Sequence, residues 1–377
     1  MHIFALNCGS SSVKSAVIDS DRRSRLFESR VEKLDESNLS AAVAEVLQRL
    51  RDGTRKPPDA IAHRIVHGGE RFLRPTLIDD AVLGEIERLN HLAPLHNPPA
   101  LAAVRQVRQA YPQTPHVAVF DTAYHATLPL HAREYALPLD LRRRLGIRRY
   151  GFHGISHAHV MHNVAAYLGT TPDELRIVSC HLGNGASATA IEHGRSVDTS
   201  MGMTPLEGLV MGTRAGDLDP GIVLELVQSG AVDENELASL LNKHSGLAAL
   251  TGTNDVREIE RRATGGDEDC RLALALYAHR VRKYIGAYAA VMGGTDAIAF
   301  TGGVGENSAA VRQACLQRLE FLGAALDDQR NQEARLDDGA GVCEISREGS
   351  RVRLLVVRAD EELAMALEAA ALLRASG

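Results

Sequence analysis

The hydrophobic positions of this chain repeat one local pattern twice, about half a chain apart. An apolar run over residues 3–6 leads into small residues, and a second run alternates apolar and small residues as far as residue 19. Residues 176–191 have the same form, with Gly183, Asn184 and Gly185 at the bend. This pattern predicts a β-hairpin whose turn exposes N–H groups and hydroxyls to phosphate oxygens. The repeat predicts a nucleotide held between two related domains.

The remaining periodicity predicts an α/β protein. Helices are predicted over residues 39–51, 81–89, 100–111 and 156–168, and strands over 60–69, 116–122, 297–301 and 353–357. A final helix through about residue 373 begins at acidic residues, and we expect it to pack on the first domain. The predicted organisation is an N-terminal lobe of residues 1–148, completed by a helix in residues 359–377, and a C-terminal lobe of residues 149–358.

Composition and charge exclude several classes of protein. With 377 residues, 45% of them apolar and 24% charged, the chain fits a globular protein of two domains. No run reaches the 18 or more apolar residues of a membrane span, and no signal peptide is expected. The net charge of −6 and the dispersed basic residues argue against binding of nucleic acid. Five scattered cysteines without a CxxC pair fit a reducing cytoplasm.

Common nucleotide-binding signatures do not account for the chain. Gly183, Gly185 and Ala188 match the spacing of a dinucleotide-binding loop, but a strand is predicted after them where that loop requires a helix. A Walker A loop and the HRD and DFG signatures of protein kinases are absent. A nicotinamide dehydrogenase is therefore disfavoured, and any nucleotide site has another architecture.

A group of histidines at 153, 157, 159 and 162 has the spacing of metal ligands. A metalloprotease would need a glutamate beside the first histidine, and none is present. We expect most of these side chains to lie on a helix surface or to satisfy local hydrogen bonds. His153 precedes a glycine just before the helix, where an imidazole can donate to a phosphoryl oxygen.

Two arginines and three oxygen-bearing side chains are candidates for phosphate chemistry. Arg64 lies in an apolar strand, which indicates either a salt bridge or a bound anion, and Arg214 lies in a glycine-rich loop. An arginine on a transferring phosphoryl group contributes about 10³–10⁵ in rate. Asn7, Asp121 and Glu361 suit a Mg²⁺ ion that keeps several waters, although each also fits a helix or turn cap.

Nine segments together resemble the acetate and propionate kinase family. They are residues 7–14 (NCGSSSVK), 63–69 (HRIVHGG), 93–99 (APLHNPP), 120–125 (FDTAYH), 150–157 (YGFHGISH), 179–185 (SCHLGNG), 211–220 (MGTRAGDLDP), 300–307 (FTGGVGEN) and 360–362 (DEE). The resemblance implies the two-domain fold of actin, sugar kinases and heat-shock ATPases, with a duplicated βββαβαβα core. It also implies reversible, Mg²⁺-dependent transfer of the ATP γ-phosphoryl group to acetate, with Mn²⁺ as a possible substitute metal, in a cytoplasmic homodimer.

The resemblance also implies a role for individual residues. Arg64, Arg214, His153 and Asp121 would be catalytic, and Asn7 and Glu361 would bind the metal together with Asp121. A small pocket for the acyl methyl group would consist of Val66, Leu95, Phe152 and Pro205, beside Arg64. The nucleotide would contact Ser10, Ser12, Lys14, His181, Asn184, Gly185, Asp255, Val256, Arg257, Gly302, Gly303, Val304 and Asn307.

The sequence departs from the family pattern at three points, and none of them removes a residue that we assign to the chemistry. Ser15 stands where a large aromatic side chain is frequent, and Ile155 replaces a threonine of the HGTSH motif. The chain is also shorter than usual before His63. Two alternatives stay open: a kinase for propionate or butyrate, and an ATP-dependent switch of the same fold. Arg64, Arg214 and the small pocket favour an enzyme, because a switch would not require them.

Overall fold

A computed structural model describes residues 1–9, 12–32, 38–54, 56–336 and 341–376. The chain divides into two compact units. The first unit consists of Met1–Ala126, Phe152–His159 and Asp360–Gly377, and the second of Thr127–Gly151 and Val160–Ala359. Each unit contains one six-stranded sheet.

The first unit is built on strands from the N-terminal third of the chain. Its strands are β1 (His2–Cys8), β2 (Ser12–Asp19), β3 (Ser24–Glu32), β4 (Ala60–Ile65), β5 (Thr76–Leu77) and β6 (His116–Phe120). Its first three helices are α1 (Leu39–Gly53), α2 (Asp80–Arg88) and α3 (Asn97–Ala110). Helix α3 begins three residues earlier than predicted, because Pro98 and Pro99 occupy the first turn, where a helix needs no N–H donor.

Helices α4 (Leu130–Arg133) and α5 (Leu139–Leu145) follow, and α6 (Gly154–Leu168) runs from the first unit into the second. The second unit contains β7 (Arg176–Leu182), β8 (Ala186–Glu192), β9 (Arg195–Thr199), β10 (Ala297–Thr301), β11 (Val342–Glu344) and β12 (Arg353–Val357). Its further helices are α7 (Pro220–Gln228), α8 (Glu234–Lys243), α9 (Gly246–Thr251), α10 (Val256–Thr264), α11 (Glu268–Val291), α12 (Gly302–Asn307), α13 (Ala309–Leu316) and α14 (Asp328–Glu333). Short 3₁₀ helices cover Ala123–Thr127, Pro172–Glu174 and Glu320–Leu322, and α15 (Glu361–Ser376) ends the chain in the first unit.

The two sheets have the same topology. The first has the order β3-β2-β1-β4-β6-β5, and the second has β9-β8-β7-β10-β12-β11. In both, three antiparallel strands precede two parallel ones, and a short antiparallel strand closes the edge. Even the break in register recurs, between Val17 and Ile18 of β2 and between Ala190 and Ile191 of β8. The predicted duplicated α/β fold is confirmed.

Alternating side chains of β1 pack against helices on opposite faces of the first sheet. Ile3 and Ala5 pack with α15, through alanines such as Ala366 and Ala369. Phe4 and Leu6 point the other way and pack with α1 and α3. Both faces of the central strands are therefore covered, which explains why they are apolar at nearly every position. The last helix, α15, thus lies in the first unit and covers one face of its sheet.

None of the helices in the part of the chain that the structure describes is long and apolar enough to span a bilayer.

Candidate active site

Three predicted site residues of the first unit lie at the carboxyl ends of neighbouring parallel strands. Asn7 is near the end of β1, Arg64 is near the end of β4, and Asp121 directly follows β6. The backbone supports this arrangement, because the Asp121 N–H donates to the carbonyl oxygen of Ile65 at 3.0 Å. The carboxyl edge of a sheet is where α/β proteins bind ligands.

Arg64 is held from two sides. Its Nε is 3.0 Å from Oδ1 of Asp121, and its Nη2 is 2.6 Å from Oδ2. Nη1 donates to Oδ1 of Asn7 at 3.0 Å and lies 3.7 Å from Oε2 of Glu361. These carboxylates hold the pKa of Arg64 above its usual range in spite of burial. Among the described residues, the Arg64 bonds use three of its five N–H groups, and the other two have no described partner.

The amide of Asn7 connects Arg64 to the start of α15. Its Nδ2 donates to Oε2 of Glu361 at 2.7 Å and to Oε1 of Glu362 at 3.2 Å. Glu362 in turn lies 3.5 Å from Nη2 of Arg25. The first two side chains of α15 are thus joined to the end of β1.

Negative charge exceeds positive charge around Arg64. Asp121, Glu361 and Glu362 face it, and the pKa values of Asp121 and Glu362 are raised, chiefly by burial. Carboxylate oxygens and surplus negative charge suit a divalent cation such as Mg²⁺. In the described residues, no three His, Cys, Asp or Glu side chains form a complete cage for a metal ion. A metal ion here would therefore need water or substrate oxygens as further ligands.

The segment before α6 lies directly against Asp121. The backbone N–H of His153 donates to the Asp121 carboxylate, and the Gly154 N–H donates to its carbonyl oxygen at 2.8 Å. A Cβ at position 154 would lie 2.2 Å from that carbonyl oxygen, so only glycine fits. His153 itself has φ +57, a conformation that is uncommon for a residue with a side chain and that occurs at functional sites.

Three of the predicted acyl-pocket residues are in the first unit and are linked through His67. Val66 and Phe152 are buried, whereas Leu95 is 40% exposed. The His67 N–H donates to Oδ1 of Asn97, two residues after Leu95, and the rings of His67 and Phe152 meet edge to face at 5.5 Å.

The first phosphate turn is described in part. The Gly9 N–H donates to the carbonyl oxygen of Ser12 at 2.9 Å, which closes the turn between β1 and β2. Lys14 pairs with Asn7 across the two strands. The nucleotide contact predicted for Ser10 lies outside the described residues.

The second phosphate turn, in the second unit, is joined to two loops. The Gly183 N–H donates to the carbonyl oxygen of Gly185 at 3.0 Å, and the Gly212 N–H donates to that of Asn184 at 2.9 Å. Asn254 donates to Oδ1 of Asn184 at 2.9 Å. His181 precedes this turn on β7 and pairs with Ser187 of β8. The structure thus brings Asn184 and Gly185 together with the loop that contains Arg214.

The residues predicted to contact adenosine form two groups in the second unit. Asp255 caps α10 by accepting the Arg257 N–H, and Val256 is buried between them. Asp255 and Arg257 also form a two-point ion pair at 2.9 and 2.7 Å.

The second group follows β10. Gly302 has φ +80, and a Cβ there would lie 2.7 Å from the carbonyl oxygen of Leu182, so a side chain would displace the loop. Gly303 faces open space, and Asn307 donates to its carbonyl oxygen at 2.9 Å. Val304 lies between them in α12.

Arg214 differs from Arg64 in its surroundings. Its Nη1 donates to the carbonyl oxygen of Pro205 at 2.8 Å, and among the described residues it has no carboxylate partner. Burial lowers the pKa of Arg214 to about 10. Arg214 is partly buried, and a partly buried guanidinium without a counter-ion is stabilised when an anionic ligand compensates its charge.

The two substituted motif positions have structural explanations. Ile155 is buried in the core beneath α15, with Ala364 and Met365. The Ser15 hydroxyl donates to the Ser29 carbonyl oxygen across β2 and β3 at 3.4 Å. Neither residue contacts Arg64 or Asp121 in the described bonds.

The sequence interpretation missed several polar partners in the two sites. They are Arg25, Glu362 and Asn254. Glu362 lies in the DEE segment that carried the family resemblance, so a signal existed for it. No local pattern distinguishes Arg25 or Asn254.

Comparisons with known proteins agree with this geometry. The profile of the acetokinase family matches residues 27–367. An acetate kinase of Streptomyces coelicolor is 48% identical, over 100% of this chain and 98% of its own length. The crystal structure of Porphyromonas gingivalis acetate kinase has a TM-score of 0.90 at 39% identity, covering 99% of both chains. That of a Francisella tularensis propionate kinase has a TM-score of 0.87 at 36% identity, covering 97% of this chain and 98% of its own.

Proposed function

This chain belongs to the acetokinase family, and we propose that it transfers the γ-phosphoryl group of ATP to acetate, giving acetyl phosphate and ADP. The reaction is reversible and proceeds by direct in-line transfer. The family resemblance that the sequence motifs carried is confirmed. The roles of individual residues are part of the proposal.

The observation that carries the proposal is the partly buried charge of Arg214, which has no carboxylate partner among the described residues. Its one described hydrogen bond is to a neutral carbonyl, so its positive charge is available to an anion. In a reaction between two anions, carboxylate and phosphate, such a group lowers the electrostatic barrier. Arg64 supplies the second guanidinium, with two N–H groups left over from its bonds to Asp121 and Asn7.

The acidic cluster around Arg64 supports a Mg²⁺ requirement. Asn7, Glu361 and Asp121 would hold the ion, and Mn²⁺ would fit the same oxygen ligands. When bound, the ion neutralises phosphate charge during transfer. Lys14 adds a positive charge close to Glu362, on the strand that follows the first phosphate turn.

No strong general base is needed for this chemistry. A simple carboxylic acid has a pKa of about 4–5, so acetate is already a nucleophile at neutral pH. The chain's contribution is to orient the acetate and to neutralise charge. We assign orientation of the carboxylate to Asp121, and stabilisation of the transferring group to His153, Arg64 and Arg214.

The binding of the two substrates divides among the other predicted residues. Val66, Leu95, Phe152 and Pro205 would contact the acetate methyl group. Ser10, Ser12, His181, Asn184 and Gly185 would contact the phosphates. The adenosine contacts would come from Asp255, Val256, Arg257, Gly302, Gly303, Val304 and Asn307.

The test is a hydroxamate assay for acyl phosphate with ATP and Mg²⁺. Acetate, propionate and butyrate are compared at equal concentrations, because one methylene in an apolar pocket changes the binding free energy by only about 1–3 kcal/mol. We expect acetate to have the highest kcat/KM. A preference for propionate would place the chain with the propionate kinases, and absence of acyl phosphate with all three acids would reject the proposal.

The assembly and location are also proposals. Leu224 and Val227 lie three residues apart on α7 and are each about half exposed, and this apolar surface supports a homodimer. Sedimentation velocity would test it. The described cysteines are all free, which supports a cytoplasmic location.

A further inference from the structure

The loop that contains Arg214 is closed at its base by one residue, Asp217. The Asp217 N–H donates to the carbonyl oxygen of Gly208 at 3.0 Å. Its carboxylate Oδ1 accepts the N–H of Gly208 at 2.8 Å. Two hydrogen bonds thus join Gly208 to Asp217, the two ends of the loop that contains Arg214.

Asp217 is held in turn by two side chains of α11. The Tyr284 hydroxyl donates to Oδ2 of Asp217 at 3.0 Å. Nη1 of Arg280 lies 3.3 Å from the same oxygen and donates to the Gly208 carbonyl at 3.0 Å. Burial raises the pKa of Tyr284, so its hydroxyl remains a donor at neutral pH.

One side of the Arg214 loop borders open space. A cavity of about 440 Å³ borders it and is lined by Ala215, Gly216, Asp217 and residues nearby. Because a loop that borders a cavity lacks van der Waals support there, its position depends on its hydrogen bonds. Asp217 supplies hydrogen bonds where the loop borders the cavity, and residues 212–214 are held separately by hydrogen bonds to Asn184, Asn242 and Pro205.

We infer that Asp217 and Tyr284 are positioning residues, which hold the Arg214 loop against α11 so that the guanidinium meets the transferring phosphoryl group. This inference rests on the proposed function of Arg214. Neither residue needs to contact substrate. A shift of the loop would weaken an interaction that matters most in the transition state, so it would lower kcat rather than raise KM for ATP.

The chain offers a matched pair of variants for the test. Tyr288 lies one helical turn after Tyr284, the two rings are in contact at 5.5 Å, and the Tyr288 hydroxyl is buried without a hydrogen-bond partner in the described structure. Tyr284→Phe and Tyr288→Phe each remove one hydroxyl from the same helix. We expect Tyr284→Phe to lower kcat about tenfold, with KM for ATP within about twofold of wild type. Tyr288→Phe should leave both kcat and the KM for ATP unchanged.

A second pair of variants tests Asp217 itself. Asp217→Asn keeps an oxygen for the Gly208 N–H, so its loss of kcat should be smaller than that of Asp217→Ala. The melting temperature of each variant is measured alongside. Tyr284→Phe with normal kcat would overturn the inference, whether or not it melts earlier. Absence of acyl phosphate from the wild type would instead reject the proposed function, so the two failures are distinguishable.

Discussion

The Arg64 guanidinium and the Asp121 carboxylate form a two-point ion pair, with Nε 3.0 Å from Oδ1 and Nη2 2.6 Å from Oδ2. Arg214, the other arginine of the proposed site, has a carbonyl oxygen and no described carboxylate as its partner. The positive charge of Arg64 is therefore compensated by a carboxylate, and that of Arg214 has no such partner among the described residues. Substitution of the two arginines should therefore have opposite effects on the stability of the protein.

Arg214→Ala should abolish most turnover and leave nucleotide affinity nearly unchanged. The expected fall in kcat is about 10³-fold or more, because the guanidinium acts on charge in the transition state. Initial rates and a nucleotide-binding titration measure the two quantities. Arg261→Ala, at an exposed position on α10, is the control. Normal acetyl phosphate formation by Arg214→Ala would refute the assignment.

Arg64→Ala should unfold more easily than wild type, whereas Arg214→Met should be at least as stable. Removal of Arg64 leaves the carboxylate of Asp121 buried and unpaired, at an expected cost of about 3–5 kcal/mol in the free energy of unfolding. Removal of Arg214 eliminates a partly buried charge that has no carboxylate partner among the described residues. Urea denaturation without substrates or Mg²⁺ measures both. Equal destabilisation of the two variants would contradict the difference in their surroundings.

Arg25→Gln should strengthen Mg²⁺ binding while it weakens the metal-free fold. Nη2 of Arg25 lies 2.6 Å from Asp360 and 3.5 Å from Glu362, so its loss makes the cluster beside Asn7 more negative. The expected result is a lower Mg²⁺ concentration for half-maximal activity and a lower melting temperature in EDTA. Arg30→Gln, whose ion pair with Glu32 on the same strand is exposed, should change neither. A higher Mg²⁺ requirement for Arg25→Gln would count against this account.

The free energy of unfolding should fall as the pH drops below about 6.5, in part because of one buried histidine pair. His63 and His116 stack with a ring-nitrogen contact of 2.9 Å, and burial lowers both pKa values, that of His63 strongly. The folded pair stays neutral while the unfolded chain takes up protons, so stability present above the unfolded pKa is lost on acidification.

Denaturation curves between pH 5 and 8 measure this effect as a slope. Replacement of both histidines by glutamine should flatten the slope even if it lowers the overall stability. The control is His279→Gln, at an exposed position on α11. An unchanged slope in the double variant would show that other groups govern the acid sensitivity.

Much of the fold could be predicted from local sequence patterns. Both hairpins, the helix after the two prolines and the strand before Asp121 follow from periodicity and from turn or cap residues, which act over a few positions. The short edge strands β5 and β11 were not predicted, because strands of two and three residues carry too little pattern. The residues of the two sites were named from motifs, and their roles stay proposals.

The sequence alone determined the duplicated α/β fold and the family, and it named the candidate side chains for the chemistry, because each of these depends on residue type and order. Only the tertiary structure decided how each charge is compensated. Arg25 and Asp360 are far apart in the chain and form an ion pair at 2.6 Å, and Arg64 and Arg214 have opposite surroundings although they are the same residue. Electrostatic energy depends on distance and burial in three dimensions, and neither quantity is a property of a position in the sequence.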